Sequence, residues 1–205
     1  MRTISPKSEY RQLQIIFFVF AIFIMAWVPR FPEVKANLGL SNGQFGTLIS
    51  TGTLGALASL FLTGHIVHKF GTKVVLLANA TLMTVALSSI VQTKSPTFFL
   101  FFNIILGWGI SGFHIAVNAQ AFDSMKRVKD LTISKLHGIW ALGALTTSII
   151  SALVVNHIGL ALHVGGLSIA MWLLIFISVN HLSPILIKAN EDKEEQLTHN
   201  FDKCF

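Results

Sequence analysis

Apolar residues run along this chain in blocks too long for a soluble core, separated by short polar breaks. A helix needs about 20 residues to cross about 30 Å of hydrocarbon. Six blocks reach that length: residues about 12 to 29, 43 to 63, 74 to 92, 97 to 122, 134 to 156 and 160 to 183. Pro96 and Pro184 suit helix boundaries, because the ring removes a donor and restricts the preceding residue. Ser41 is placed to cap the second helix. The pattern predicts an all-α membrane protein with a segment 1–11, a six-helix transmembrane domain 12–183 and a charged tail 184–205. Its first partner is the lipid bilayer.

Composition agrees. The chain is 53% hydrophobic and 12% charged, against about 25% charged in soluble domains. Lys and Arg fall in alternate breaks. Arg2, Lys7, Arg11, Lys69, Lys73, Lys126, Arg127, Lys129, Lys135, Lys188, Lys193 and Lys203 lie on one side, and Arg30, Lys35 and Lys94 on the other. This bias predicts cytoplasmic termini. It also accounts for the net charge of +6 without a nucleic-acid partner, since no basic cluster is interleaved with aromatics on a polar scaffold. Residues 1–27 have a basic start but lack a small-residue cleavage site, so they read as a retained first helix. The single cysteine, Cys204, excludes an intramolecular disulfide.

A faint repeat links helices two and five. Leu54-Gly55-Ala56-Leu57 recurs as Leu142-Gly143-Ala144-Leu145, and Gly64-His65-Ile66 is echoed by Asn156-His157-Ile158. A three-plus-three inverted repeat would give this pairing. Small residues at packing intervals (Gly46 and Ser50, Gly52 and Ala56, Gly55 and Ser59, then Ala144, Ser148 and Ala152) should meet protein. The Phe-rich faces of helices one and four are expected at lipid.

Polar groups within the helices carry the candidate chemistry. Ser111, His114 and Asn118 share one stripe of helix four, extended by Gly107, and should point into the bundle. His137 and Trp140 on helix five lie at a depth that predicts contact between Asn118 and His137. No carboxylate falls inside the predicted helices. No P-loop or metal-ligand spacing occurs, so no cofactor or metal is expected.

Gly64 to Lys73, G-H-I-V-H-K-F-G-T-K, reads as a basic turn between helices two and three. Gly64, Lys69, Gly71 and Lys73 match the loop pattern of the major facilitator superfamily, with His68 where that family usually has aspartate and Val74 where a second basic residue is common. Further landmarks are Trp27 to Pro32, Leu38 to Ser41 with Gln44, Phe45 and Gly46, Asn118-Ala119-Gln120, and Leu136-His137-Gly138 with Trp140. Together they resemble the amino-terminal half of a YbjJ-like bacterial branch of that superfamily, distantly similar to fucose-type permeases. The resemblance implies a secondary transporter of a small solute in the bacterial inner membrane, and the distant likeness to fucose-type permeases points to a sugar-like one. It implies substrate-cavity positions at Phe23, Trp27, His114 and Asn118, to which the polar groups on helices four and five add Ser111, His137 and Trp140, and a conformational gate at Gly64, His68, Lys69, Gly71 and Lys73. It also implies twelve helices in two halves. Six are read here, so a second six-helix half, from another copy or a separate chain, is expected for alternating access.

Two other readings stand beside it. One is a six-helix scaffold or remnant without transport. The other is an intramembrane serine protease of the rhomboid type, which Gly109-Ile110-Ser111-Gly112 and His163-Val164-Gly165-Gly166 resemble. Depth opposes the protease: Ser111 lies about 20 Å below the surface and His163 within about 5 Å of it. No enzyme activity is expected.

Overall fold

A computed structural model of the chain describes residues 5–183; Pro184 and the tail lie outside the described residues. It holds six helical segments long and apolar enough to cross a membrane, and no strand among the described residues.

The first crossing begins earlier than the apolar pattern. Helix α1 spans Pro6–Met25, with Ser5 as its cap and Pro6 in the first turn, where a missing N–H removes nothing. Pro29 then sits in a tight 3-10 turn, Val28–Arg30, which leads into the short helix α2, Phe31–Asn37. The second crossing is also divided. Helix α3, Asn42–Ser50, opens with a reciprocal capping box between Ser41 and Gln44, and α4, Gly52–Phe70, follows after Thr51.

The predicted ten-residue turn contracts to one residue. Helix α4 runs through Gly64, His65 and His68 to Phe70, and α5 starts at Thr72 and ends at Ile90. Only Gly71, at φ 80°, adopts the left-handed backbone that favours glycine. Gly64 is an ordinary helical residue, and a Cβ there would meet nothing within 4 Å. Helix α6, Pro96–Met125, is capped by Ser95. Helix α7 spans Ile133–Val154, and a π turn, Ala161–Gly165, leads into α8, Gly166–Asn180.

The packing has the symmetry the repeat predicts. The main contacts are α4 with α6, α5 with α6, α1 with α7, α1 with α8, and α5 with α8. Exchanging crossings one with four, two with five and three with six maps this set onto itself. Crossings two and five are the peripheral pair: 17% of the most apolar window of each is buried, against 56% for the first.

Two expectations about faces change. On α7 the buried stripe is Gly143, Thr147 and Ser151, one residue round from Ala144, Ser148 and Ala152. Gly143 lies there because its missing Cβ leaves room for the Phe18 carbonyl, 2.5 Å from where that atom would stand. On the second crossing Gly55 and Ser59 are buried, whereas Ser50 is exposed and a Cβ on Gly46 would meet nothing within 4 Å. The phenylalanines of the first helix do not face lipid either. Phe17, Phe20 and Phe23 are core residues, as are Phe99 and Phe113 of α6, while Phe98 and Phe101 are exposed. Phe20 stacks on Phe113 with ring centres 4.5 Å apart, a contact between the first and fourth crossings.

Candidate functional site: a cavity between the first, second and fourth crossings

The site begins with the division of the second crossing. At Thr51 the helix loses its regular bonding, and free carbonyls in hydrocarbon need a donor. Asn103 of α6 supplies it to Ile49, whose carbonyl accepts from its Nδ2 at 2.8 Å; the same nitrogen reaches Thr51 Oγ1 at 3.1 Å and, at 3.3 Å, the Leu48 carbonyl, which also accepts from Thr51 Oγ1 at 2.7 Å. Below it the backbones touch. A Cβ on Gly107 would stand 1.9 Å from the Gly52 carbonyl oxygen, and one on Gly55 at 1.9 Å from that of Ile104. The close crossing of α4 and α6 therefore depends on glycine.

Beside this seam a cavity of about 450 Å³ opens. Trp27, Val28 and Phe31 form its wall on the first crossing, Thr53 and Ala56 on the second, and Gly107, Ser111 and His114 on the fourth. Trp27 and Phe31 meet edge to face at 4.7 Å. The cavity thus offers an aromatic wall opposite a hydroxyl and an imidazole, a combination that holds a small solute with both an apolar face and hydrogen-bonding groups.

Of the residues named from sequence, Trp27, Ser111 and His114 line this cavity. Phe23 is 1% exposed in the core behind it, and Trp140 is half-buried against the core on α7. Neither is among the lining residues. Asn118 donates from Nδ2 to the His114 carbonyl at 2.9 Å. The ring that meets His137 is that of His114, one turn from Asn118, with centres 5.9 Å apart. In the segment from Gly64 to Lys73, His68 and Lys69 occupy the last turn of α4, whose carbonyl end favours cations. The Lys69 ammonium lies over the Phe70 ring, 5.2 Å from its centre.

The two ends hold polar clusters that the sequence reading missed. Carboxylates do lie within the helices. At the lysine-rich end Glu9 is 2% exposed. It accepts from Ser124 Oγ at 2.6 Å, from Arg127 Nη2 at 3.0 Å and from Ser183 Oγ at 3.0 Å. Gln120 approaches it at 3.5 Å and in turn accepts from Thr72 Oγ1 at 2.5 Å. Arg127 also pairs with Asp123. Burial acts to lower the Arg127 pKa, but the bonds to Asp123 and Glu9 outweigh it and the pKa is raised. The available signal was periodicity: Glu9, Leu13 and Ile16 share one helical face, and all three are buried.

At the opposite end Arg30 is wholly buried. Its guanidinium donates to Glu33 at 2.5 and 2.8 Å, to the Ile158 carbonyl at 2.9 Å and to His163 Nδ1 at 3.1 Å. Arginine only donates, so His163 Nδ1 accepts and its proton sits on Nε2. The Ser111–His163 pairing of the protease reading is therefore not assembled. Residues 98–106 are helical rather than a loop, Ser111 lies about 22 Å along α6 from Pro96, and His163 is engaged by Arg30.

The sequence model of the Major Facilitator Superfamily matches residues 13–201. Similar proteins include an uncharacterized MFS-type transporter of Yersinia pestis, 24% identical over 81% of this chain and 39% of its own length. The niacin transporter NiaP of Acinetobacter baylyi is 25% identical over 80% of this chain and 38% of its own length. Human synaptic vesicle glycoprotein 2B is 30% identical over 80% of this chain and 25% of its own length. The chain spans about two fifths of the length of the first two relatives. With six apolar crossings packed in two exchangeable sets of three, and a family match over most of its length, this chain is a multi-pass membrane protein that belongs to the major facilitator superfamily.

Proposed function

We propose that this six-helix unit forms one wall of an alternating-access pathway for a small solute, and that the cavity between the first, second and fourth crossings is its share of the binding site. The supporting observation is the position of the polar stripe. Ser111 and His114 border the cavity together with Trp27, whereas polar groups turned toward lipid would be costly. The opposing wall is a second six-helix half, in this polypeptide or another. The mostly exposed second and fifth crossings are the faces that meet it or lipid. The unit is residues 12–183, set in a bacterial inner membrane; the lysine and arginine bias supports cytoplasmic termini. Within the superfamily we place it in the YbjJ-like branch, distantly related to fucose-type permeases. Phe23, Asn118, His137 and Trp140 support or extend the cavity, and the segment from Gly64 through His68, Lys69 and Gly71 to Lys73 is the cytoplasmic gate.

The test is a thermal-shift screen of the full chain in detergent against neutral sugars and pyridine carboxylates. A bound solute raises the melting temperature by mass action. One class should stabilise the wild type and lose its effect in Ser111→Trp, which fills the cavity. A shift that survives Ser111→Trp, or no shift with any solute, contradicts the assignment.

A further inference from the structure

We propose that His114 and His137 form a two-imidazole site for a divalent transition-metal cation, bridging the fourth and fifth crossings. Their rings stand edge to face with centres 5.9 Å apart at 83°. A zinc–nitrogen bond of about 2.0–2.1 Å puts the metal about 3.2 Å from each ring centre. Two rings on one metal are then about 5.2 Å apart at the tetrahedral angle and about 6.4 Å apart when linear. The observed spacing falls within that interval; an edge-to-face pair does not aim both nitrogens at one point, so one imidazole turns about its own side-chain bonds to complete the site.

The surroundings favour the same reading. Phe20 lies 6.0 Å behind His114, and Phe17 lies 5.6 Å from His137, edge to face. Both phenylalanines are buried in α1, so the imidazoles rest on a fixed apolar floor while their own side chains are exposed. Among the described residues neither ring makes a hydrogen bond to a protein group, so their nitrogens are not committed elsewhere. Asn118 holds its amide nitrogen on the His114 carbonyl and leaves Oδ1 without a partner, which supplies a nearby oxygen for the cation or its water.

No group of three or more His, Cys, Asp or Glu able to hold a metal occurs among the described residues. The site is therefore an open one, with two protein nitrogens and the remaining positions left to water or solute. Neutral imidazole selects zinc, nickel or copper over magnesium and calcium. Sequence spacing does not reveal the pair, because its members are 23 positions apart and on different helices. His114 also lines the proposed solute cavity, but metal binding is read independently of any transport.

The experiment is calorimetric titration of Zn²⁺ into the full chain, purified in detergent with a tag free of histidine. One saturable equivalent is expected, weakened about tenfold or more in His114→Gln and in His137→Gln. His65→Gln, on the exposed side of α4, should bind like the wild type, and Mg²⁺ should give no signal. Circular dichroism confirms that each variant stays helical; should a Gln variant unfold, His114→Asn and His137→Asn are read instead. Absence of saturable binding overturns the proposal, as does unchanged affinity in the folded His114/His137 double variant.

Discussion

The two ends of the first crossing bury one charge each, and they do so by different means. Arg30 is held by Glu33, three residues away, by one histidine and by one carbonyl. Glu9 is held by Ser124 and Arg127 on or beside the fourth crossing, by Ser183 after the sixth, and through Gln120 by Thr72 on the third. Both clusters tie the first crossing to the sixth. The Arg30 end does so through a single fully buried group, while the Glu9 end spreads the load over several hydroxyls and an arginine that is 40% exposed. A network with many weak members tolerates the loss of one, and a hub does not.

The largest expected effect is therefore at the hub. Arg30→Ala leaves the Glu33 carboxylate, the Ile158 carbonyl and His163 without their donor, and should lower stability by about 3–5 kcal/mol, read as a fall in detergent melting temperature. A loss no greater than that of Glu9→Gln would remove the distinction between the ends. Glu9→Gln keeps the shape but removes the charge facing Arg127. It should cost about 1.5–3 kcal/mol, toward the lower value because Arg127 is partly solvated. Ser124→Ala deletes one of several partners of Glu9 and should cost about 0.6 kcal/mol, the usual size of an interhelical hydrogen bond in membranes. A loss above that of Glu9→Gln would show the network to be a hub after all. Lys69→Ala, outside both clusters, removes a cation over an exposed ring and should cost about 0.5 kcal/mol.

The middle of the molecule contrasts with both ends, since backbone contact rather than charge closes it. Gly107→Ala places a methyl group against the Gly52 carbonyl and should cost about 1–3 kcal/mol through overpacking. A neutral outcome in the melting experiment would mean that α4 and α6 separate without penalty.

The six crossings were legible because lipid demands long apolar runs, a signal summed over about 20 residues each. What depended on single residues was less so. The first helix starts at Pro6 rather than near residue 12 because Ser5 and Pro6 launch it through a polar turn, and Glu9 was carried into the core with that turn. Gly64 suggested a turn by composition, but between Gly64 and Lys73 backbone geometry requires glycine only at Gly71. The stripe on α7 was misjudged by one position, about 100° of rotation, since small residues lie on both sides and only the Phe18 carbonyl decides between them. Arg30 stands between Pro29 and Pro32 and reads as a loop charge. Nothing local shows that His163 and Ile158, more than 120 residues on, will enclose it.

The cavity stripe was half legible. Periodicity aligned Gly107, Ser111 and His114, the family resemblance set Trp27 beside them, and the structure adds Phe31 and the contact of Gly107 with Gly52. The ring contact of His114 with His137 needed the relative rotation of α6 and α7, which no spacing within one helix contains.

The central claim is that water reaches the fourth crossing through this cavity. With Cys204 replaced by serine, single cysteines at Ser111 and at the exposed apolar Leu60 are treated in membranes with a water-soluble maleimide. The account predicts that the thiol at 111 reacts and the one at 60, facing lipid or the opposing half, does not. Protection at 111 together with reaction at 60 would contradict it.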